Sequence, residues 1–209
     1  MTIYADRLDA MVEDVRARAA NPEYPWDTRA LDWPLDEQST VVEVGGYCGR
    51  WALQIAERYH PRLFVFEPQP WAHAVAQAVL GDMAAVLPYG LSDHDATMQM
   101  GNFETDGCSL VNIKAGTTAP AHFVKISNAF IQLNIDKIDL LLMNIEGYEY
   151  TLLPYMLDRG ILPKRLMVQY HLFGDPYGLI MAGHWERLEA LGYKIAWTYG
   201  IMLTAWERD

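Results

Sequence analysis

The sequence predicts an α/β domain: a doubly wound, mostly parallel seven-stranded sheet ending in a C-terminal antiparallel hairpin, with an extra N-terminal helix. Three observations predict it. From Thr40 onward, short apolar runs alternate with segments of helical period. The runs, such as "LFVF" at 63–66, lack polar alternation, as expected of parallel strands covered by helices on both faces. The chain closes on "YKIAWTYG" and "IMLTAWERD", two runs parted only by a Tyr-Gly turn, which reads as a hairpin joined to that sheet.

The elements follow in order. Ile3, Leu8, Met11, Val12 and Val15 recur at helical spacing among acids and arginines, which predicts an amphipathic helix packed on the main body. Three prolines and several acids then make an irregular connector, so residues 1–39 are expected to be a helix and connector laid on a 40–209 core. Within the core, "TVVEVG", "RLFVFEP", "AAVLPYG", "IDLLLMNIEG" and "KRLMVQYH" are predicted strands. "RWALQIAERYH", "WAHAVAQAVL", "YEYTLLPYMLDRG" and "HWERLEALG" are the helices between them. From about 93 to 135 the pattern weakens. The Gly-, Thr- and Asn-rich stretch at 94–126 is too long for an ordinary connection, and it predicts a loop or small hairpin rising over the ligand edge.

Composition narrows the classes of function. With 209 residues, 51% of them hydrophobic, the chain can bury one full core. Twenty-seven acidic against 16 basic side chains give a formal charge of −11, which argues against nucleic acid or an anionic membrane as a general partner. Two cysteines make no disulfide scaffold, the first twenty residues lack the apolar core of a signal peptide, and no run approaches a membrane span. The expectation is a cytoplasmic protein whose homo-oligomerisation is left open.

The sharpest signal is "VVEVGGYCGRW" at 41–51. An apolar strand runs into a turn shaped by Gly45, Gly46 and Gly49, where the lack of a Cβ lets a ligand approach backbone. Glu67 closes the next strand in "FVFEPQP", where a carboxylate can accept hydrogen bonds from both hydroxyls of a ribose. A nucleoside site is the reading. E-x-G-G-x-x-G is not the fingerprint of dinucleotide enzymes, and Glu43 would repel a pyrophosphate while suiting a cationic ligand such as S-adenosylmethionine (SAM).

With "VVEVGGYCGRW", "LFVFEPQP", "YGLSD", "GCSL", "IDLLLMNIEGYEYTLL" and "VQYH" in order, the chain resembles the FkbM family of SAM-dependent methyltransferases over about 41–171. The resemblance implies a Rossmann-like class I methyltransferase acting on a hydroxyl of a sugar, polyketide or other natural product. It implies that Glu43, Gly45 and Gly49 shape the methionine pocket and that Glu67 holds the ribose; Gly46, Tyr47 and Pro68, in the same two turns, are further cofactor-binding candidates. Ser92 and Asp93 would then lie beside the adenine, with Asn144, Glu146 and Gly147 under the departing methyl. The family's Asp-x-Gly-Ala-Asn turn is replaced around Glu43, Gly46 and Tyr47. Its Lys-x-Asp before the Glu-Gly pair is replaced by Leu142 and Asn144.

Methyl transfer to an alcohol also needs a proton acceptor. Glu146, just past "LLLMNI", is the first candidate, and His171, at the end of "RLMVQYH", is the second, with Asn144 beside them. Glu146 could instead brace its loop, and His171 could be a hydrogen-bonded structural residue. Asn144, Glu146 and His171 are also donors for a divalent metal, but no spacing demands one, and none is predicted. Two other classes stay open: a non-catalytic nucleoside-binding domain and an NAD-dependent oxidoreductase.

Overall fold

A computed structural model describes residues 8–21, 28–101, 107–111, 118–174, 176–200 and 202–209. Seven strands form the main sheet: β1 (Thr40–Val44), β2 (Arg62–Phe66), β3 (Ala85–Leu87), β7 (Leu140–Met143), β8 (Arg165–Gln169), β9 (Lys194–Tyr199) and β10 (Leu203–Glu207). Their spatial order is β3-β2-β1-β7-β8-β10-β9. The pairs from β3 across to β8 are parallel, whereas β10 is antiparallel to both β8 and β9. The closing hairpin therefore inserts its second strand between β8 and its first, so β10 alone is reversed.

Alternation along the strands sorts the core into two layers. Val41, Leu63, Val65, Leu140, Leu142 and Met167 face α1 (Leu8–Ala19), α2 (Arg50–Tyr59) and α3 (Pro70–Leu80). Val42, Val44, Phe64, Phe66, Leu141, Met143 and Val168 face α4 (Ile126–Gln132), α5 (Glu149–Asp158) and α6 (Tyr177–Ala190). Every residue of β1 is buried, which is why that strand reads as an unbroken apolar run apart from Glu43. Each fully buried Val, Leu or Phe contributes roughly 1.5–3 kcal/mol. The chain leaves β1 toward β2 on one side and the later strands add through β7 on the other, so the order reverses between the carboxyl ends of β1 and β7.

The N-terminal helix buries Val12 and Val15 against α2 and α3, and Gln54 Nε2 donates to the Ala19 carbonyl at 2.9 Å. Residues before 8, including Ile3, lie outside the described residues. The weakly patterned stretch holds a second sheet, with β4 (Gly90–Ser92) parallel and β5 (Ala96–Gly101) antiparallel to β6 (Thr118–Lys125). The expected hairpin is thus present as β5 and β6, and the short helix α4 follows it. No helix among the described residues is long and apolar enough to cross a membrane.

Candidate functional site

The site is built on the two strand ends at the reversal. After β1, the N–H groups of Gly45 and Gly46 both donate to the Phe66 carbonyl, at 3.0 and 3.1 Å, which folds the turn back over β2. Gly45 has φ +86, and a Cβ there would stand 2.0 Å from the Asn144 carbonyl oxygen. Glycine therefore lets the β1 and β7 ends touch. Gly49 serves a different purpose from the one expected. It precedes α2 at φ +77, and its missing Cβ would press on Ala76 and Leu80 of α3. It seats one helix on another rather than opening the pocket.

Two clefts flank this turn, both lined by Gly45, Tyr47, Asn144 and Glu146. One runs past Glu67, Pro68, Gln69, Gly90 and Leu91 and is roofed by Met100, Cys108 and Leu110 of the rim. The other, about 990 Å3, runs past Glu43, Gly46 and Arg50 to Met11, Asp14 and Arg18 of α1, with Gln169 at the β8 end. The N-terminal helix is thus a wall of the site.

Buried polar groups show what the clefts lack. Glu43 is 4% exposed, and its Oε2 has no hydrogen-bond partner; Asn144 Oδ1 is likewise buried and unpartnered. Burial, then the nearby charge of Glu67, pushes the Glu43 carboxyl well above its ordinary value against the pull of Arg50. An unsatisfied buried acceptor costs about 1–3 kcal/mol, so a donor is expected there.

Glu67 is occupied in a way the sequence does not reveal. Its Oε2 accepts the Tyr47 N–H and its Oε1 the Gln69 N–H, both at 2.7 Å. Burial raises its carboxyl to about 7 in spite of these bonds. Each oxygen keeps a further lone pair for a ligand hydroxyl. Tyr47, held by that bond at φ +46, stands 38% exposed at the cleft with its ring edge-on to Trp71, centroids 5.3 Å apart.

Ser92 and Asp93 depart from expectation. Ser92 is fully buried and its hydroxyl donates to the His94 carbonyl, while Asp93 accepts the Tyr148 hydroxyl at 2.7 Å. Gly90 and Leu91 line the cleft instead, because the chain enters β4 there and turns the next two side chains away. Partial burial would raise the Asp93 carboxyl, but hydrogen bonds from Tyr148 and His94 outweigh it and hold the group below its ordinary value.

Beyond β7, Glu146 sits at φ +52, and its carbonyl accepts the Ser109 hydroxyl at 2.5 Å. His171 lies between two carboxylates: Nε2 is 2.9 Å from Glu146 Oε1 and Nδ1 is 2.9 Å from Glu149 Oε1. Burial alone would lower the imidazole, but the bonds to Glu146 and Glu149 and their charges raise it to about 10. Both nitrogens of His171 are thus engaged by carboxylates, an arrangement that favours the imidazolium over the neutral ring expected of a base. Glu149 was missed by sequence reasoning. It is 0% exposed, and its carboxylate also accepts the Ile145 and Gly147 N–H groups at 2.9 and 2.8 Å. The signal was a second acid three residues after Glu146, at the start of a predicted helix. Among the described residues, no group of three or more His, Cys, Asp or Glu side chains is placed to share a metal ion.

No family model matches the sequence, and no curated relative matches it. Solved structures do resemble the fold. An O-methyltransferase from Bacillus cereus in complex with S-adenosylhomocysteine (SAH) aligns with a TM-score of 0.52 at 9% identity, over 97% of this chain and 91% of that one. An rRNA methylase from Streptococcus thermophilus aligns at 0.51 and 13% identity, over 83% and 89% of the two chains. The fibrillarin pre-rRNA processing protein of Methanococcus jannaschii aligns at 0.50 and 12%, over 85% and 70%. At such identities the likeness is one of architecture: the chain has the Rossmann-like fold of the class I methyltransferases.

Proposed function

We propose that the protein is a methyltransferase that moves a methyl group from SAM to a hydroxyl of a small molecule. The observation that carries this reading is the pair of buried, unpartnered acceptors, Glu43 Oε2 and Asn144 Oδ1, set on the two strand ends where the order reverses. An ammonium offers donors and positive charge to both; a pyrophosphate offers neither. SAM fits this set. Glu43 and Asn144 would hold its amino group, Glu67 its ribose hydroxyls, and Pro68, Gly90 and Leu91 the adenine side. Bound there, it supplies an electrophilic methyl group on a sulfonium.

The remaining chemistry belongs to the chain. Glu146 lies on the wall common to both clefts, which supports it as the residue beside the transferred methyl group. Its carboxylate would accept the proton that the acceptor hydroxyl sheds on methylation. His171 cannot take this role, having no unengaged nitrogen. Positioning supplies the rest of the acceleration, since an in-line displacement needs the two reacting atoms aligned. The −11 formal charge supports a small acceptor over RNA, and the FkbM-like motifs favour oxygen as the nucleophile.

Equilibrium dialysis of the purified protein against labelled SAM, SAH and NAD tests the reading. Retention of SAM and SAH, lost on Glu43→Ala, is the expected result. Retention of NAD alone overturns it in favour of an oxidoreductase. SAM binding with no methyl transfer in a broad alcohol and phenol screen would favour a non-catalytic nucleoside-binding domain.

A further inference from the structure

We infer that Glu149 is a positioning residue: acting through His171, it fixes the carboxylate of Glu146 at the strand end, as the buried terminus of a carboxylate–imidazole–carboxylate chain. Its purpose rests on the methyltransferase reading, but the chain itself rests on geometry alone. Glu149 opens α5 with no exposed surface and grips the loop on both sides of Glu146, through the N–H groups of Ile145 and Gly147. Glu146 itself holds φ +52, a conformation a non-glycine residue keeps only when its surroundings over-determine it. The backbone is clamped by Glu149, the carbonyl by the Ser109 hydroxyl, and the side-chain Oε1 by His171.

A helix cap alone would not need this arrangement. Accepting the two N–H groups would satisfy the loop, yet Glu149 Oε1 also takes His171 Nδ1 at 2.9 Å. That third bond orients the ring and aims Nε2 at Glu146. Phe173 lies nearly parallel to the ring, centroids 6.2 Å apart. Glu146 and Glu149 are the charged groups facing the ring, and between them they hold it as a cation. The consequence is directional. Both N–H bonds of His171 are already donated, so a proton from an acceptor goes to Glu146, at Oε2, the oxygen that His171 does not hold.

The first measurement needs neither cofactor nor acceptor. The full chain, labelled with 15N-histidine, is titrated by NMR from pH 5 to 10. The expected result is a doubly protonated His171 through pH 8, and in Glu149→Gln a titration at least two pH units lower. Calorimetry on the same variant is expected to show SAM affinity within about threefold of wild type, separating positioning from cofactor binding. A wild-type His171 that titrates near neutrality overturns the inference without any variant, should Glu149→Gln fail to fold. So does a Glu149→Gln titration unchanged from wild type. If SAM does not bind but His171 behaves as expected, the methyltransferase reading falls and the positioning role stands.

Discussion

The two strand-end turns of this protein, after β1 and after β7, are built on one plan and differ in a single component. Each displays a non-glycine side chain from a left-handed backbone, Tyr47 at φ +46 and Glu146 at φ +52. Each is held by a buried carboxylate that accepts two backbone N–H groups, Glu67 for the first and Glu149 for the second. The difference is His171. Glu149 has a cationic partner, while Glu67, among the described residues, has no ion-pair partner and accepts only the Tyr47 and Gln69 N–H groups, and its carboxyl rises to about 7. A carboxylate lacking a counter-charge is poised to receive a ligand's hydroxyls; one already neutralised by an imidazolium is poised to hold its neighbours still. On the proposed reading, one turn serves binding and the other chemistry.

That contrast can be broken most directly by truncation. Glu149→Ala leaves two N–H groups and an imidazolium without their acceptor, and it should cost roughly 3–5 kcal/mol in chemical denaturation. Glu67→Ala leaves only the Tyr47 and Gln69 N–H groups unpaired and should cost about 1–3 kcal/mol. In SAM affinity the order should reverse, with Glu67→Ala the more damaging. Equal effects on both measures would erase the distinction between the turns.

Glycine substitutions sharpen it. A Cβ at Gly45 meets the Asn144 carbonyl oxygen at 2.0 Å, backbone that cannot give way; one at Gly147 meets the Phe173 ring at 2.4 Å, a 38% exposed side chain that can swing aside. Gly45→Ala should therefore destabilise more than Gly147→Ala. Adding Phe173→Ala should recover part of the loss at Gly147 and none at Gly45, as read by unfolding midpoints.

The turns should also separate in pH. Glu67 is raised from 4.5 to about 7, so the folded state holds that proton more tightly and stability falls as pH rises across this window. His171 is raised from 6.5 to about 10, so its contribution is complete below 6.5 and is lost as pH rises through 10. Thermal midpoints against pH should lose the first slope in Glu67→Gln and the second in His171→Gln. The smallest expected effect is that of Tyr47→Gly on stability. Relief of about 1 kcal/mol of strain offsets a ring contact with Trp71 of similar size, so the unfolding midpoint should barely move while SAM binding weakens.

The sheet was legible because burial on both faces writes itself as unbroken apolar runs, and each run from "TVVEV" to "LTAWE" is a strand. The rim was legible only as a choice between loop and hairpin, since β5 and β6 alternate exposed and buried positions in a polar, glycine-rich composition that also suits a loop. α6 begins at Tyr177, ahead of the expected "HWERLEALG", because its first turn carries exposed Leu179 and Ile180 and so breaks the amphipathic pattern. Within the site, Glu43, Gly45, Tyr47, Glu67 and Asn144 could be placed by strand-end logic. Ser92 and Asp93 could not, because a one-residue difference in where β4 starts decides which side chains face the cleft. The role of Glu149 needed the third dimension: its partners lie on β8 and on the preceding loop, and nothing in linear spacing joins residue 149 to 171.

The most direct test is calorimetric titration of the wild-type protein and Glu67→Gln with SAM at pH 6 and pH 8. If ribose hydroxyls bind the charged form of Glu67, wild-type affinity should rise roughly tenfold between the two values, and that of Glu67→Gln should be weaker and flat. Failure of the folded wild-type protein to bind SAM at either pH, or binding indifferent to both pH and the substitution, would contradict the placement of a methyl-donor site at the glycine turn.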